Sequence, residues 1–229
     1  MNRFWEIDAL RGVAISAMVI FHYLFNLHFM SPTITIPLDS LGWKIFNYLI
    51  GGLFLLLVGI SLSISFARAS QKLSTKKIIY KFIKRGLKIF SYGLLITVIT
   101  YIVFPKSYVL FGILHLIGIS IIVSIPLLLF PRAIIPTGII TAFLSYIFKN
   151  TYLTFPYLIW LGFPTPTFSS LDYYPVLPWF FIVILGIFIG NKLYPKAQRI
   201  FKIKNIDHYK PISFLSFLGK NSLIIYLVH

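Results

Sequence analysis

Cysteine is absent from this chain, which excludes disulfide bonds and thiolate chemistry and leaves the redox compartment undecided. Acids are scarce: five Asp and Glu residues stand against 21 Lys and Arg. Charged residues of either sign make up only 11% of the chain, well below the roughly one quarter usual in soluble domains. A Walker phosphate loop, a dinucleotide fingerprint and a zinc-binding HExxH pattern are also missing, so ATP-driven pumping and metalloprotease chemistry have no support and no metal is expected. What the chain has is apolar surface. Hydrophobic residues reach 58% with a mean hydropathy of +0.88, and several runs approach the ~18–20 apolar residues that cross a bilayer core.

These features predict an all-α, polytopic transmembrane helical bundle. Apolar runs read against proline, glycine and charge place about seven spans, at 9–30, 44–67, 86–104, 109–130, 134–149, 176–191 and 213–229. The first is too long for a cleavable signal peptide, lacks a small-residue cleavage site, and contains Asp8, Arg11 and His22. The connection after the second span holds Arg68, Lys72, Lys76, Lys77, Lys81, Lys84, Arg85 and Lys88 without an acid. The connection after the sixth holds Lys192, Lys196, Arg199, Lys202, Lys204 and Lys210 against Asp207 alone. Seven spans put both loops and the N-terminus on one side, which the positive-inside rule makes cytoplasmic. The net charge of +16 is then read as topology and attraction to anionic headgroups, not as nucleic-acid binding, since no recognition motif accompanies it. Residues 1–229 are expected to form one domain, with a short last span that points to a C-terminus truncated or lacking a further helix.

Within the first span, Arg11 and His22 are the residues an apolar run tolerates least, and ionisable groups at such depth mark substrate paths, proton relays or chemical sites. Eleven helical steps of ~100° return His22 to within roughly 20° of Arg11, about three turns along the axis. Asp8 lies three residues before Arg11 and can pair with it; the pair either neutralises itself at a helix end or presents Arg11 to an anionic ligand that Asp8 orients. The imidazole of His22 either hydrogen-bonds between helices or transfers protons near neutral pH. His115, in the fourth span, is expected at a similar depth. His28 lies at the outer end of the first span, and His208 and His229 carry no specific signal. The stretch 157–179 combines Trp160, Tyr173, Tyr174, Trp179 and several prolines with a single acid, Asp172. That composition fits an aromatic interfacial belt and equally a lid that stacks sugar rings and hydrogen-bonds their hydroxyls, with Asp39 as a second contact. Gly51, Gly52, Gly59, Ser61 and Ser63, and the Gly186/Gly190 spacing, read as helix-packing positions.

The run Asp8-Ala9-Leu10-Arg11-Gly12-Val13-Ala14 continuing to His22 resembles the opening of transmembrane acyltransferases. It is most similar to the heparan-alpha-glucosaminide N-acetyltransferase catalytic-domain-like family of bacterial and archaeal membrane proteins. Phe54–Ser65, Phe111–His115 with Gly118, Leu171–Trp179 and Asn221–His229 fit the same family in the same order. The resemblance implies transfer of an acyl group from cytoplasmic acetyl-CoA, or another acyl-CoA, to a sugar amine or hydroxyl on the outer side. It implies that Arg11, Lys84, Arg85 and Lys88 hold the phosphates of CoA, with Asp8 beside them. His22 would take the acceptor's proton or carry the acyl group itself, with His115 and Asp172 as further catalytic candidates. In the family's lysosomal glucosaminide enzyme the catalytic histidine lies beyond the first span and the position matching His22 is not histidine, which makes His28 the rival. Expected partners are membrane lipids, a glycan or lipid-linked sugar and a second copy of the chain, in the plasma membrane.

Two other readings use the same residues. In a proton-coupled transporter or channel, His22 and His115 form a relay and no covalent bond is made; the lack of a convincing internal repeat counts against it. In a scaffold or lipid-binding subunit the histidines serve packing alone.

Overall fold

The computed structural model describes residues 3–31 and 36–229. Among the described residues nine α-helices run in order: α1 (Trp5–Met30), α2 (Leu41–Ser70), α3 (Thr75–Val103), α4 (Ile113–Val123), α5 (Ile125–Leu129), α6 (Ile134–Ile147), α7 (Val176–Leu193), α8 (Lys210–Lys220) and α9 (Ser222–Val228). The described β pairing is an isolated parallel bridge, Phe111 with Tyr173. The all-helical expectation is met.

Among the described residues, α1, α2, α3 and α7 are long and apolar enough to cross a membrane, and the bent pair α8–α9 adds a fifth if counted as one span. The helices in the other predicted spans are shorter than expected. The run 109–130 becomes helical only at Ile113, because Phe111 is bridged to Tyr173 and 109–112 is not helical: Tyr174 N–H donates to the Phe111 carbonyl at 3.0 Å. It breaks again at Ser124, two residues before Pro126, which has no N–H to continue the ladder. α6 has 14 residues. The run 213–229, expected as one span, bends by 68° between α8 and α9. At the bend Asn221 leaves helical geometry and its Nδ2 donates to the Phe217 carbonyl at 2.9 Å, the local side-chain competition that makes Asn a helix breaker.

The chain divides into two compact units, Met1–Leu57 with Lys202–His229, and Val58–Phe201. In the first, α1 packs along α8 and touches α9. The contact is backbone to backbone. A Cβ on Gly12 would collide with the Leu215 carbonyl, and one on Gly219 with the Asp8 carbonyl. Small residues are what allow such approach where hydrophobic burial offers no drive between helices. Deeper along α1, Ile15, Met18, Phe21 and Ile50 form a core joined by Trp43, Phe46, Phe54, Leu218, Ile225 and Tyr226. Phe21 stacks on Trp43 with centroids 4.5 Å apart.

In the second unit, the C-terminal part of α2 meets α7 through two of the glycines read as packing positions. A Cβ on Gly59 would strike the Val183 carbonyl, and one on Gly190 would lie 2.8 Å from Ser63 Cβ. Ser63 Oγ donates to Asn191 Oδ1 at 2.6 Å, satisfying a hydroxyl that is otherwise expensive in an apolar interior. Leu62, Phe82, Leu116, Ile121, Val183 and Ile187 are fully buried.

The glycine contact gives a direct test. Gly219→Ala should destabilise the protein by ~1–3 kcal/mol or more, since the clash is with backbone that cannot rotate away. Gly42→Ala, which meets nothing within 4 Å, should be neutral or gain up to ~1 kcal/mol of helix propensity. Thermal unfolding in detergent measures both; equal behaviour would remove the α1–α8 contact from the account.

Candidate functional site

The polar residues of α1 sort into two places. Near its start, Arg11 Nη1 donates to Asp8 Oδ1 at 3.0 Å, with the Asp8 side chain 7% exposed and that of Arg11 24%. Asp8 and Glu6 both lie in the first turn, where a carboxylate is favoured by the helix dipole. The second Asp8 oxygen, Oδ2, is buried with no hydrogen-bond partner among the described residues.

About three turns further along, at ~1.5 Å per residue, His22 is half-buried. Its Nδ1 lies 2.6 Å from Nε2 of His229, with ring centroids 4.9 Å apart and planes 16° from parallel, so the two rings meet edge to edge. Phe21 meets the His22 ring edge-on at 5.6 Å. His229 is placed by the closing helix: its Nδ1 lies 3.1 Å from the Ile225 carbonyl and 2.9 Å from the Tyr226 carbonyl. The sequence offered no sign of this partnership. The two histidines are 207 residues apart, and no spacing rule connects helices that meet only in the fold.

His28 ends up elsewhere. Its Nδ1, in the last turn of α1, accepts the Ile36 N–H at 2.8 Å.

His115 belongs to the second unit and is 2% exposed. Its Nδ1 accepts the N–H of Gly112, the residue that begins α4, at 3.2 Å. This is the reach-back bond that Glu or Gln makes in a capping box. Its Nε2 faces Thr97 Oγ1 at 3.3 Å, while that hydroxyl donates to the Val109 carbonyl at 2.7 Å. Thr97 therefore accepts from Nε2–H, and both ring nitrogens are occupied. Phe90 meets the ring edge-on at 5.1 Å and Phe111 stacks at 5.5 Å. Asp172 closes the same helix end: its Oδ2 accepts the Ile113 N–H at 3.0 Å. The pair leaves the first two amides of α4 satisfied, where a helix otherwise presents orphan donors.

The aromatic connection is held by similar means. Leu171 N–H donates to the Ser107 carbonyl at 2.8 Å and Ser170 Oγ to the Tyr108 carbonyl at 2.9 Å. Tyr173 O–H donates to the Ile159 carbonyl at 2.7 Å, and burial pushes that phenol up to about 12, so it keeps its proton throughout the physiological range. Exposed ring surface remains on Tyr157 and Trp160. Asp39 is exposed, 3.9 Å from Lys44 Nζ. On α3, Lys84, Arg85 and Lys88 are exposed while Phe82 and Gly86 are buried, one basic stripe against one packed stripe.

The geometry therefore gathers Asp8 with Arg11 and His22 with His229 in the first unit, and ties His115 and Asp172 to the start of α4 in the second. Asp172→Ala should cost about 1–3 kcal/mol of stability, measured by thermal unfolding in detergent. Asp172→Asn, which keeps an acceptor oxygen, should recover most of it. Loss of activity in Asp172→Asn at undiminished stability would return a chemical role to this carboxylate.

The family model described as Heparan-alpha-glucosaminide N-acetyltransferase, catalytic, matches residues 3–229. No curated protein and no solved structure matches the chain.

Proposed function

The chain belongs to the heparan-alpha-glucosaminide N-acetyltransferase catalytic family, and from that premise we propose a transfer of acetyl from acyl-CoA to a sugar amine or hydroxyl, with His22 as general base. Family membership and the long apolar helices make the protein a membrane acetyltransferase. The donor, the acceptor, its side of the membrane and the residue roles are this proposal. The observation that carries it is the polar stripe of α1, with a partly open Asp8–Arg11 pair at one end and a half-buried imidazole along the same face.

The reaction balances as follows. The acceptor nitrogen or oxygen bonds to the thioester carbonyl carbon, the carbon–sulfur bond breaks, and CoA leaves as a thiolate. His22 takes the acceptor's proton as the new bond forms and returns it to the sulfur, so the enzyme ends unchanged. The guanidinium of Arg11 suits a CoA phosphate or carbonyl as a charge-assisted donor, and the open Oδ2 of Asp8 can accept from the same ligand. In the second unit, Lys84, Arg85 and Lys88 carry exposed positive charge of the kind that suits phosphates. The basic connections support a cytoplasmic N-terminus, which puts the donor at the Arg11 end of α1 and the acceptor toward the opposite face. Crossing of the membrane by α4–α5 and by α6, to give seven spans in the plasma membrane, belongs to the same proposal.

His115 is read here as the cap of α4, not as part of a proton relay with His22. Both of its nitrogens are engaged within its own unit, which favours the acyltransferase reading over a two-histidine transport path.

Purified protein incubated with radiolabelled acetyl-CoA and a panel of amino sugars tests the reading. His22→Ala should lower CoA release by ~10²–10⁴-fold, the usual contribution of a general base. Undiminished turnover in that variant, with loss in His28→Ala, would move the base outward. Proton-coupled uptake into vesicles without CoA release would replace the enzyme by a transporter. In an Asp8→Asn background, so that no carboxylate is stranded without its cation, Arg11→Ala should raise the KM for acetyl-CoA by about tenfold, or ~1.4 kcal/mol. The acceptor's KM should move less, and the reverse order would overturn the assignment of Arg11 to the donor.

A further inference from the structure

The hydrogen-bond chain behind His22 has a direction. Nδ1 of His229 faces two backbone carbonyls, of Ile225 and Tyr226, and a carbonyl only accepts. That nitrogen therefore carries the proton of a neutral His229 ring, and Nε2 of the same ring is left with its lone pair. The 2.6 Å contact between His229 Nε2 and His22 Nδ1 then needs a donor, which is Nδ1–H of His22. It follows that Nε2 of His22 is the unprotonated nitrogen. A free imidazole in water leans the other way only weakly, so one good acceptor at Nδ1 is enough to decide between the tautomers.

We infer that His229 is a positioning residue: its lone pair holds His22 as the Nδ1–H tautomer and fixes its ring plane, leaving Nε2 as the basic nitrogen. The role in turnover rests on the acyl-transfer reading above; the tautomer does not. Carbonyls on α9, His229 and His22 form a three-part arrangement in which the base is oriented by a third group, the general logic of activated bases on unrelated folds. Here the orienting group is a second imidazole, itself oriented by the backbone. When His22 takes a proton at Nε2, the resulting cation keeps its Nδ1–H bond to a lone pair, so the charge forms against an acceptor already in place. The in-plane hydrogen bond between nearly parallel rings and the edge of Phe21 restrict rotation of the His22 ring about its last side-chain bond.

Nitrogen-15 NMR of the full chain, labelled at histidine and held in lipid bilayers without substrate, reads the tautomer directly. His22 is assigned as the signal lost in His22→Ala. The expected result at neutral or mildly alkaline pH is a protonated Nδ1 and an unprotonated Nε2. In His229→Leu the signal should shift toward the Nε2–H form, and kcat should fall by ~10–100-fold, the usual loss when the partner orienting an imidazole is removed. The KM for acetyl-CoA should stay near its original value. His229→Gln, whose amide oxygen can accept from the same Nδ1–H, should restore both the spectrum and most of kcat, a rescue that a purely structural role would not give. An Nε2–H tautomer in the unsubstituted chain overturns the inference, as does a His229→Leu variant with unchanged spectrum and kcat. Activity that survives His22→Ala removes His22 as the base of the acyl-transfer reading instead, while the substrate-free spectrum still decides the tautomer.

Discussion

Gly12 and Gly219 bring α1 and α8 into backbone contact, and the candidate chemistry depends on that approach. Any side chain at either position would meet a carbonyl of the opposite helix. With α8 seated against the start of α1, the 68° bend at Asn221 redirects the chain as α9, which returns to α1 at Ile225 and Tyr226. His229 then stands beside His22. Two glycines, one asparagine and the aromatic core around Phe21 thus convert a remote pair of histidines into a hydrogen bond. In an apolar environment the close fit of the helices takes the place of hydrophobic burial as the source of that order.

A second constraint runs through the other unit: polar groups in such surroundings must be satisfied from within. His115, Thr97 and Asp172 look like chemistry when read as residue types, yet their side chains bond backbone groups beside the start of α4. His115 and Asp172 serve the first two amides of α4, and Thr97 serves the carbonyl of Val109. These side chains let a helix begin at Ile113 directly after an extended strand-like segment. On α1, by contrast, Oδ2 of Asp8 is buried without a hydrogen-bond partner among the described residues, and one edge of the His22 ring does not face His229. Function is better sought where hydrogen-bonding capacity remains than where it is exhausted.

The same contrast separates the functional readings. A relay for proton transport needs imidazoles able to alternate between donor and acceptor, whereas His115 is held in one state by bonds at both nitrogens. A transferase needs one base with a fixed tautomer and an open nitrogen, and the His22–His229 pair supplies that. The match of the family model over residues 3–229 and the geometry of α1 thus support acyl transfer from independent directions.

Composition and patterning by themselves determined the class of molecule: few charges, long apolar runs and basic connections admit an all-helical membrane protein and little else. The order of short motifs identified the family, and the Arg11-to-His22 spacing put two candidate residues on one helical stripe, because helical geometry is local and can be counted. Packing roles for Gly59 and Gly190 were legible for the same reason. Lengths of the shorter helices were not, since hydropathy responds to composition and not to Pro126, to the bend at Asn221 or to the strand-like pairing of 109–112. Only the tertiary structure decided that His115 and Asp172 cap a helix and that His229 is the partner of His22. The physical reason is that a side chain's chemical role depends on which lone pairs and protons its neighbours have already claimed, and those neighbours lie far away along the chain.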